Sequence, residues 1–555
     1  MSVPNILFIM FDQLRWDYLS CAGHPHLATP HIDRLAARGV RFSRAYVQSP
    51  LCGPSRMSTY TGRYVHSHGA FFNNVPLKVG ERTMGDHLRD LGMECWLVGK
   101  THMQADAAGM ARLGLAPDSV IGARVAECGF DVFERDDGMR PEGPDGPYDE
   151  GGALRYNAYL ADRGYGGDNP WHDHANSGVD DAGNVLSGWF LANSDRAANI
   201  RERDSETPYL TRRAMEFIEG RGDAPWCCHL SYIKPHWPYV VPAPYHAMFG
   251  PEHFLSPNRG KEERADPHPV YAAMMEAPVS RAFRRDDVRA KVMGAYMGLV
   301  KQCDDQLGML FRWLEETGRM ATTAIVVTSD HGDFLGDHWL GEKTFMQDAA
   351  VKVPLIVYDP NEAADATRGT VCDRLVETID LAPTFVDLAG GDAAALDHVL
   401  EGRSLAPILR GEATATWRGH AFCEYDYCAT PLAGKLGVST RDARMFMAFD
   451  GRFKLVHFEG GFRPMLFDHE TDPEERIDLG AAAEHAETRA RLLDTLRDWA
   501  LRPAQRTTRS NVEIVGGRGA SARRGVLLGA VEEADVPDEL SARYTGRKAP
   551  DMRER

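Results

Sequence analysis

Four short apolar runs, each leading into chemically capable polar residues, restrict this chain more than any other feature. Asn5–Phe11 leads into Asp12, and Glu94–Val98 leads into Gly99, Lys100, Thr101 and His102. Trp226–Ile233 leads into Lys234, Pro235 and His236, and Ala324–Thr328 into Ser329, Asp330 and His331. Runs of this length without polar alternation predict strands buried on both faces, as in a parallel sheet covered by helices. Leu355–Tyr358 predicts a fifth strand. Helical stretches lie between them. Thr29 as N-cap, Pro30 at the first helical position and Gly39 as the stop predict one helix, and Val288–Thr317, closed by Gly318, predicts a long one. The repeated strand–helix order predicts an α/β fold with a large, mostly parallel sheet flanked by helices. In such sheets ligands bind beyond the carboxyl ends of the strands. Asp12, Lys100, His102, Lys234, His236, Asp330 and His331 are therefore expected along one edge.

The rest of the chain reads differently. Residues 141–188 are rich in Gly, Asp, Asn and Trp and show no sustained period, which predicts a substrate-facing loop or insertion. Residues 251–278 form a second irregular stretch. Beyond Gly390, Thr416–Tyr427, Met445–Phe449 and Arg452–Phe458 predict short strands, and Glu484–Leu501 an amphipathic helix. Together they predict a smaller antiparallel sheet backed by a helix. The final segment is polar and Arg-rich, too poor in apolar residues for a core of its own. It nevertheless clusters Val512, Ile514 and Val515, then Val526, Leu527 and Leu528. Burying such groups is worth roughly 25 cal/mol per Å², so this arm is expected to pack on a second subunit in a homodimer or homotetramer. The expected division is a catalytic domain at 1–395, a small α+β subdomain at 396–501 and an oligomerisation arm at 502–555.

The formal net charge of -17 argues against nucleic acid or an anionic membrane as partner, since both select basic surfaces. It leaves room for a small anionic ester held by a local cluster of cations. The N-terminal sequence has neither a basic start nor a small-residue cleavage site, so no secretory signal is expected, and no apolar stretch approaches a membrane span. The ten Cys are scattered, without a C-x-x-C pair. That pattern fits a reducing compartment and predicts a cytoplasmic protein.

Ser49–Arg56 reads S-P-L-C-G-P-S-R and places Cys52 two residues before Pro54 and four before Arg56. A Cys in C-x-P-S-R resembles the modification site of the formylglycine-dependent sulfatases of the alkaline phosphatase superfamily. There a formylglycine-generating enzyme oxidises the thiol to an aldehyde. The hydrated aldehyde carries two hydroxyls on one carbon, one to attack an ester and one to expel the product. The resemblance spans most of residues 1–395, with several motifs in the same order. It implies an alkaline phosphatase-like fold and arylsulfatase chemistry. It further implies that Asp12, the modified Cys52, Asp330 and His331 hold one divalent metal, which polarises the attacking hydroxyl. Arg56 would clamp the hydroxyls and neighbouring charge. Lys100 and Lys343, the latter in G-E-K-T, would bind nonbridging oxygens. His236 would protonate the leaving group, and His102 would take a proton from the second hydroxyl. Asn73, in F-F-N-N-V-P-L, would be a further donor to substrate.

Two positions depart from many sulfatases: Gln13 stands where a second Asp is common, and His331 where Asn is common. Both features resemble the phosphonate monoester hydrolases, a sister group on the same fold. An imidazole in the donor set tilts the metal from Ca²⁺ toward Mn²⁺. Lys100 and His102, in contrast, match the sulfatase pattern. The expected reaction is therefore hydrolysis of sulfate monoesters, with phosphonate monoester or phosphodiester hydrolysis as the alternative. Trp171, His172 and Trp189 are candidates for stacking on an aromatic leaving group.

Overall fold

The computed structural model describes residues 3–103, 105–116, 119–137, 155–412, 416–520 and 529–540. In chain order the strands are β1 (Asn5–Asp12), β2 (Val40–Tyr46), β3 (Glu94–Gly99), β4 (Asp131–Arg135), β5 (Ser177–Val179), β6 (Val185–Ser187), β7 (Ala197–Ala198) and β8 (Trp226–Pro235). They continue with β9 (Thr323–Ser329), β10 (Lys352–Tyr358), β11 (Thr370–Cys372), β12 (Val376–Glu377), β13 (Ala421–Asp426), β14 (Arg444–Phe449), β15 (Phe453–Phe458) and β16 (Met465–Asp468). The main sheet runs β11-β2-β10-β9-β1-β8-β3-β4, with β12 also paired to β2. β9, β1, β8, β3 and β4 are mutually parallel, whereas β10 is antiparallel to both of its neighbours.

The four apolar runs thus become the parallel centre of the sheet. β8 and β9 are buried at every position, and β1 at all but Asn5. One face packs Leu7, Ile9, Leu230 and Val327 under Met293, Met297, Val300 and Leu307 of the long helix Asp286–Glu316. On the other face Phe8 stacks on His229 and meets Phe385 edge-on. Register then sets the site. Phe11 pairs with Ser329, Asp12 with Pro235, and Gly99 with Ser231, so the polar ends finish level with one another.

Several expectations need correction. The first helix is Pro30–Ala36, and Gly39 closes it by donating its N–H to the Leu35 carbonyl at 2.9 Å. Gly39 is also needed for space, since a Cβ there would stand 2.3 Å from the Val357 carbonyl oxygen. The fifth strand is longer than Leu355–Tyr358 and antiparallel. β2 carries partly exposed polar residues, and β4 has buried Asp131, Glu134 and Arg135 among its five residues, so both escaped the search for continuous apolar runs. The stretch 141–188 is not one loop: its described part holds the helix Arg155–Asp162, a π-helical turn at Trp171–Ala175, and strands β5 and β6, which form a small sheet with β7. The strand expected at Thr416–Tyr427 begins only at Ala421. The C-terminal antiparallel sheet has the order β13-β14-β15-β16, one strand more than expected, and the helix Ala486–Ala500 backs it.

The chain divides into two units, residues 1–393 with 400–502, and residues 394–399 with 503–555. Within the first, Lys454 of β15 is fully buried and contacts Asp348 Oδ1 at 2.6 Å and Glu475 Oε1 at 2.5 Å. Burial pushes both carboxyl groups toward protonation, but Lys454 outweighs it and holds both below their ordinary range. Breaking a buried charge set of this kind costs about 3–5 kcal/mol, so it anchors β15 beside the start of β10. In the second unit a short helix, Asn511–Gly516, is opened by a capping box of Ser510 and Glu513. Its Val512, Ile514 and Val515 are exposed. Val526, Leu527 and Leu528 lie outside the described residues.

Candidate active site

Cys52 is the first residue of the helix Cys52–Thr61, and the residues of its motif have separate structural tasks. Gly53 donates its backbone N–H to Asn73 Oδ1 at 2.8 Å, and a Cβ there would meet that oxygen at 2.9 Å. Pro54 sits in the first turn, where its missing N–H has no helical partner to lose. Ser55 donates to the Asp330 carbonyl at 2.5 Å. Arg56, one turn beyond Cys52, donates from Nε to Asp330 Oδ2 at 2.7 Å and from Nη1 to the Lys100 carbonyl and Ser231 Oγ, with Nη2 3.5 Å from Asp12 Oδ2. The helix is thereby tied to the ends of β1, β3, β8 and β9.

Asp12, Cys52, Asp330 and His331 are buried, and one ligand atom from each lies within 4.8 Å of the others. The chemistry of these donors fits a metal ion. His331 Nδ1 lies 2.8 Å from the Gly332 carbonyl, an acceptor, so Nδ1 carries the proton and Nε2 offers a lone pair to the cluster. Nε2 stands 3.0 Å from Cys52 Sγ, 3.5 Å from Asp12 Oδ1 and 3.6 Å from Asp330 Oδ1. Burial lowers the basicity of His331, which keeps it neutral. Among the described residues, Asp12 Oδ1 has the Cys52 thiol, at 3.8 Å, as its one hydrogen-bond donor. Burial would raise the Asp12 pKa, but Lys100, His236, Arg56 and Lys343 together hold it well below the usual carboxylate range.

Two Lys–His pairs flank Cys52. Lys343 Nζ lies 3.0 Å from Cys52 Sγ, 3.1 Å from Gln13 Oε1 and 3.2 Å from His236 Nε2. His236 Nδ1 donates to the Trp237 carbonyl at 2.6 Å, so Nε2 faces Lys343 as an acceptor. Burial, reinforced by Lys343 and Lys100, holds His236 well below the ordinary imidazole pKa despite Asp12. In the other pair, Lys100 Nζ bonds Asp12 Oδ2 at 2.6 Å. Burial and Lys100 lower the His102 pKa, while the neighbouring Cys52 and Asp137 oppose the shift. Gly99 makes this loop feasible: its φ is +117°, and a Cβ would clash with the Ser231 carbonyl oxygen at 2.0 Å. Counting charges that touch Asp12, Asp330 or Cys52, three cations (Arg56, Lys100, Lys343) face two carboxylates, which favours an anionic guest.

Asn73 is spent in part on Gly53, and with Lys100 and His102 it lines a cavity of about 150 Å³. Lys234 is not in the site. Its ammonium bonds Asn176 and the Pro238 carbonyl. Trp171 is buried and donates to Glu206, so it packs the insertion onto the core and has no face for a ligand. Trp189 is partly exposed, bonds His172 and stands edge-on to Trp237, the neighbour of His236.

Three supporting groups carried no assigned role in the sequence. Gln13, with φ +69°, orients Lys343 from Oε1 and donates from Nε2 to Asp333 at 2.6 Å and to Tyr239 at 3.0 Å. Asp137 accepts the backbone N–H of both Thr101 and His102, holding His102 at φ +58°. Arg135 clamps Asp137 at 2.5 Å and approaches Glu127 at 3.2 Å. Asp137 follows β4, and reading Asp131–Arg135 as a strand would have marked it as another strand-end polar group.

The family model described as Sulfatase matches residues 4–391, and that described as N-sulphoglucosamine sulphohydrolase, C-terminal, matches residues 336–501. The multifunctional alkaline phosphatase superfamily protein PehA of Trinickia caryophylli is 29% identical, covering 91% of this chain and 97% of that one. An arylsulfatase of Clostridium perfringens is 25% identical over 87% of this chain and 92% of its own. Among solved structures, the phosphonate monoester hydrolase SpPMH from Silicibacter pomeroyi superposes with a TM-score of 0.77 at 30% identity, covering 90% of this chain and 95% of its own.

Proposed function

The chain belongs to the sulfatase family, a family of sulfuric ester hydrolases, and from that premise we propose that it cleaves sulfate monoesters, aryl sulfates in particular, with a formylglycine made from Cys52 as nucleophile. The observation that carries this reading is the pair Lys100 and His102 opposite Lys343 and His236, with Cys52 between them. A sulfate monoester presents three bare oxygens beside the scissile bond. A phosphonate monoester or phosphodiester replaces one of them with an organic substituent, which would have to sit against a buried cation. Gln13 and His331, together with the likeness to SpPMH, support the alternative reading, so phosphonate monoester or phosphodiester cleavage is the expected side activity.

In this reading Asp12, Asp330, His331 and the residue-52 side chain hold one divalent cation, with Mn²⁺ preferred to Ca²⁺ because one donor is imidazole. Bound there, the ion would acidify the nucleophilic hydroxyl and add positive charge for the ester. Lys343 and Lys100 bind nonbridging oxygens from opposite sides. Arg56 neutralises the two carboxylates. His236 gives a proton to the leaving oxygen: the incoming anion offsets Lys343 and Lys100, the cations that keep its imidazole neutral. His102, held by Asp137, takes a proton from the second hydroxyl. Elemental analysis is expected to find one divalent ion per chain in active protein, with Asp330→Asn markedly lowering its occupancy. Full activity in metal-free protein would rule out this ligand set.

All ten Cys are free thiols, and among the described residues no helix is long and apolar enough to cross a membrane. The scattered cysteines support a cytoplasmic enzyme, matured by a formylglycine-generating enzyme. The exposed apolar side chains of Asn511–Gly516 support a homodimer or homotetramer held by the arm. A chain ending at Arg502 is expected to show a lower mass by light scattering than the full chain. An unchanged mass would remove the arm from assembly.

A further inference from the structure

The segment 340–344, which carries Lys343, forms one wall of a second cavity, of about 240 Å³. Ala273 and Met274 of the helix Pro269–Met275, Val279, and Leu432 of the helix Pro431–Leu436 form other parts of its lining, and Leu340 adds to the apolar surface. It is more apolar than the cavity at Lys100 and His102, where Met103 is the single apolar residue among amides, cations and a carboxylate, although Ser280, Glu342, Thr344, Thr430 and Lys435 also reach it. We propose that this apolar cavity seats the leaving group of the ester and selects an aromatic one. The proposal rests on the sulfatase reading of the site.

Direction and size support it. The leaving oxygen must face His236, and His236 Nε2 lies 3.2 Å from Lys343 Nζ, so the organic half departs on the Lys343 side. The Lys100 side is polar and suits bare oxygens. An apolar cavity of about 150 Å³ holds a benzene ring, so about 240 Å³ accommodates a substituted or fused aromatic. A sugar placed there would find polar partners in Ser280, Glu342, Thr344, Thr430 and Lys435 on part of the lining, but its other hydroxyls would face Met274, Val279, Leu340 and Leu432, a cost that an aromatic ring does not incur.

The test is Ala273→Phe, which fills the cavity from a partly exposed position on a short helix. The substrates are 2-naphthyl sulfate and glucosamine 6-sulfate. Inhibition by inorganic sulfate reports the anion site, and inhibition by 2-naphthol reports the cavity. Wild type is expected to prefer the naphthyl ester. The substitution should lower kcat/KM for that ester by at least about tenfold, the lower end of what a hydrophobic pocket discriminates by size. It should weaken 2-naphthol inhibition in parallel, by a far larger factor than inhibition by sulfate. Leu432→Asp, on the facing helix, should act the same way if Ala273→Phe lowers the melting temperature. Equal losses on both esters, or unchanged 2-naphthol inhibition, would overturn the assignment. Wild type that binds 2-naphthol by calorimetry, weakly in both variants, yet hydrolyses no sulfate ester would retain the cavity and overturn the sulfatase reading instead.

Discussion

Cys52→Ala is expected to leave a folded protein whose turnover of aryl sulfate falls by roughly 10⁴–10⁶-fold, the scale on which removal of a nucleophile acts. The fold should tolerate the change. Cys52 is buried at the start of its helix, and Gly53, Ser55 and Arg56, rather than the thiol, tie that helix to Asn73, Asp330 and Ser231. Cys52 Sγ lies 3.0 Å from the Lys343 ammonium and 3.0 Å from His331 Nε2, contacts that would serve a thiolate as well as an alkoxide, so the formylglycine reading rests on the C-G-P-S-R motif within the sulfatase family. Peptide mass spectrometry of active protein from a host with maturation machinery should therefore find an aldehyde in place of the Cys52 thiol. Full activity with an intact thiol throughout would sink the formylglycine mechanism. Cys52→Ser separates the two roles, because it restores an oxygen but lacks the second hydroxyl that expels the product.

The second large effect concerns Lys100 and His102. Replacing either with an uncharged residue is expected to lower kcat/KM for aryl sulfate by about 10²–10³-fold, the usual loss on removing one donor aimed at transition-state charge. Hydrolysis of a phenyl phosphonate monoester should fall less, because its organic substituent makes no use of a cation at that flank. Metal content has to be measured in the same samples, since Lys100 also bonds Asp12 at 2.6 Å. With the metal retained, a selective loss of sulfatase activity supports the assignment. Wild type that already prefers the phosphonate monoester would make the alternative reading the correct one.

Much of this was legible in the chain before folding, because the relevant information is local. Apolar runs of strand length can be satisfied only inside a covered sheet, and residues that follow parallel strands must emerge at one edge. That reasoning brings Asp12, Lys100, His102, His236, Asp330 and His331 together from sequence, and it wrongly added Lys234, which the fold spends on Asn176 and the Pro238 carbonyl. The four-residue spacing of Cys52 and Arg56 likewise puts both on one helical face. Other features depend on which strand lies beside which, and no local pattern encodes that. β2 interleaves partly exposed polar residues and β4 buries three charged residues out of five, so period and apolarity alone did not mark them, and Asp137 was lost with β4. The antiparallel insertion of β10 between β2 and β9 follows from pairing rather than composition. The proton positions on His236 and His331 are decided by the Trp237 and Gly332 carbonyls. Gln13 reads in sequence as a missing carboxylate. In the fold it is the polar arm that places Lys343, because register sets the end of β1 beside Asp333 and Tyr239. Sequence alone determined which chemistry the strand ends carry. Tertiary structure decided which lone pairs and charges face the nucleophile, because those depend on contacts between residues hundreds of positions apart.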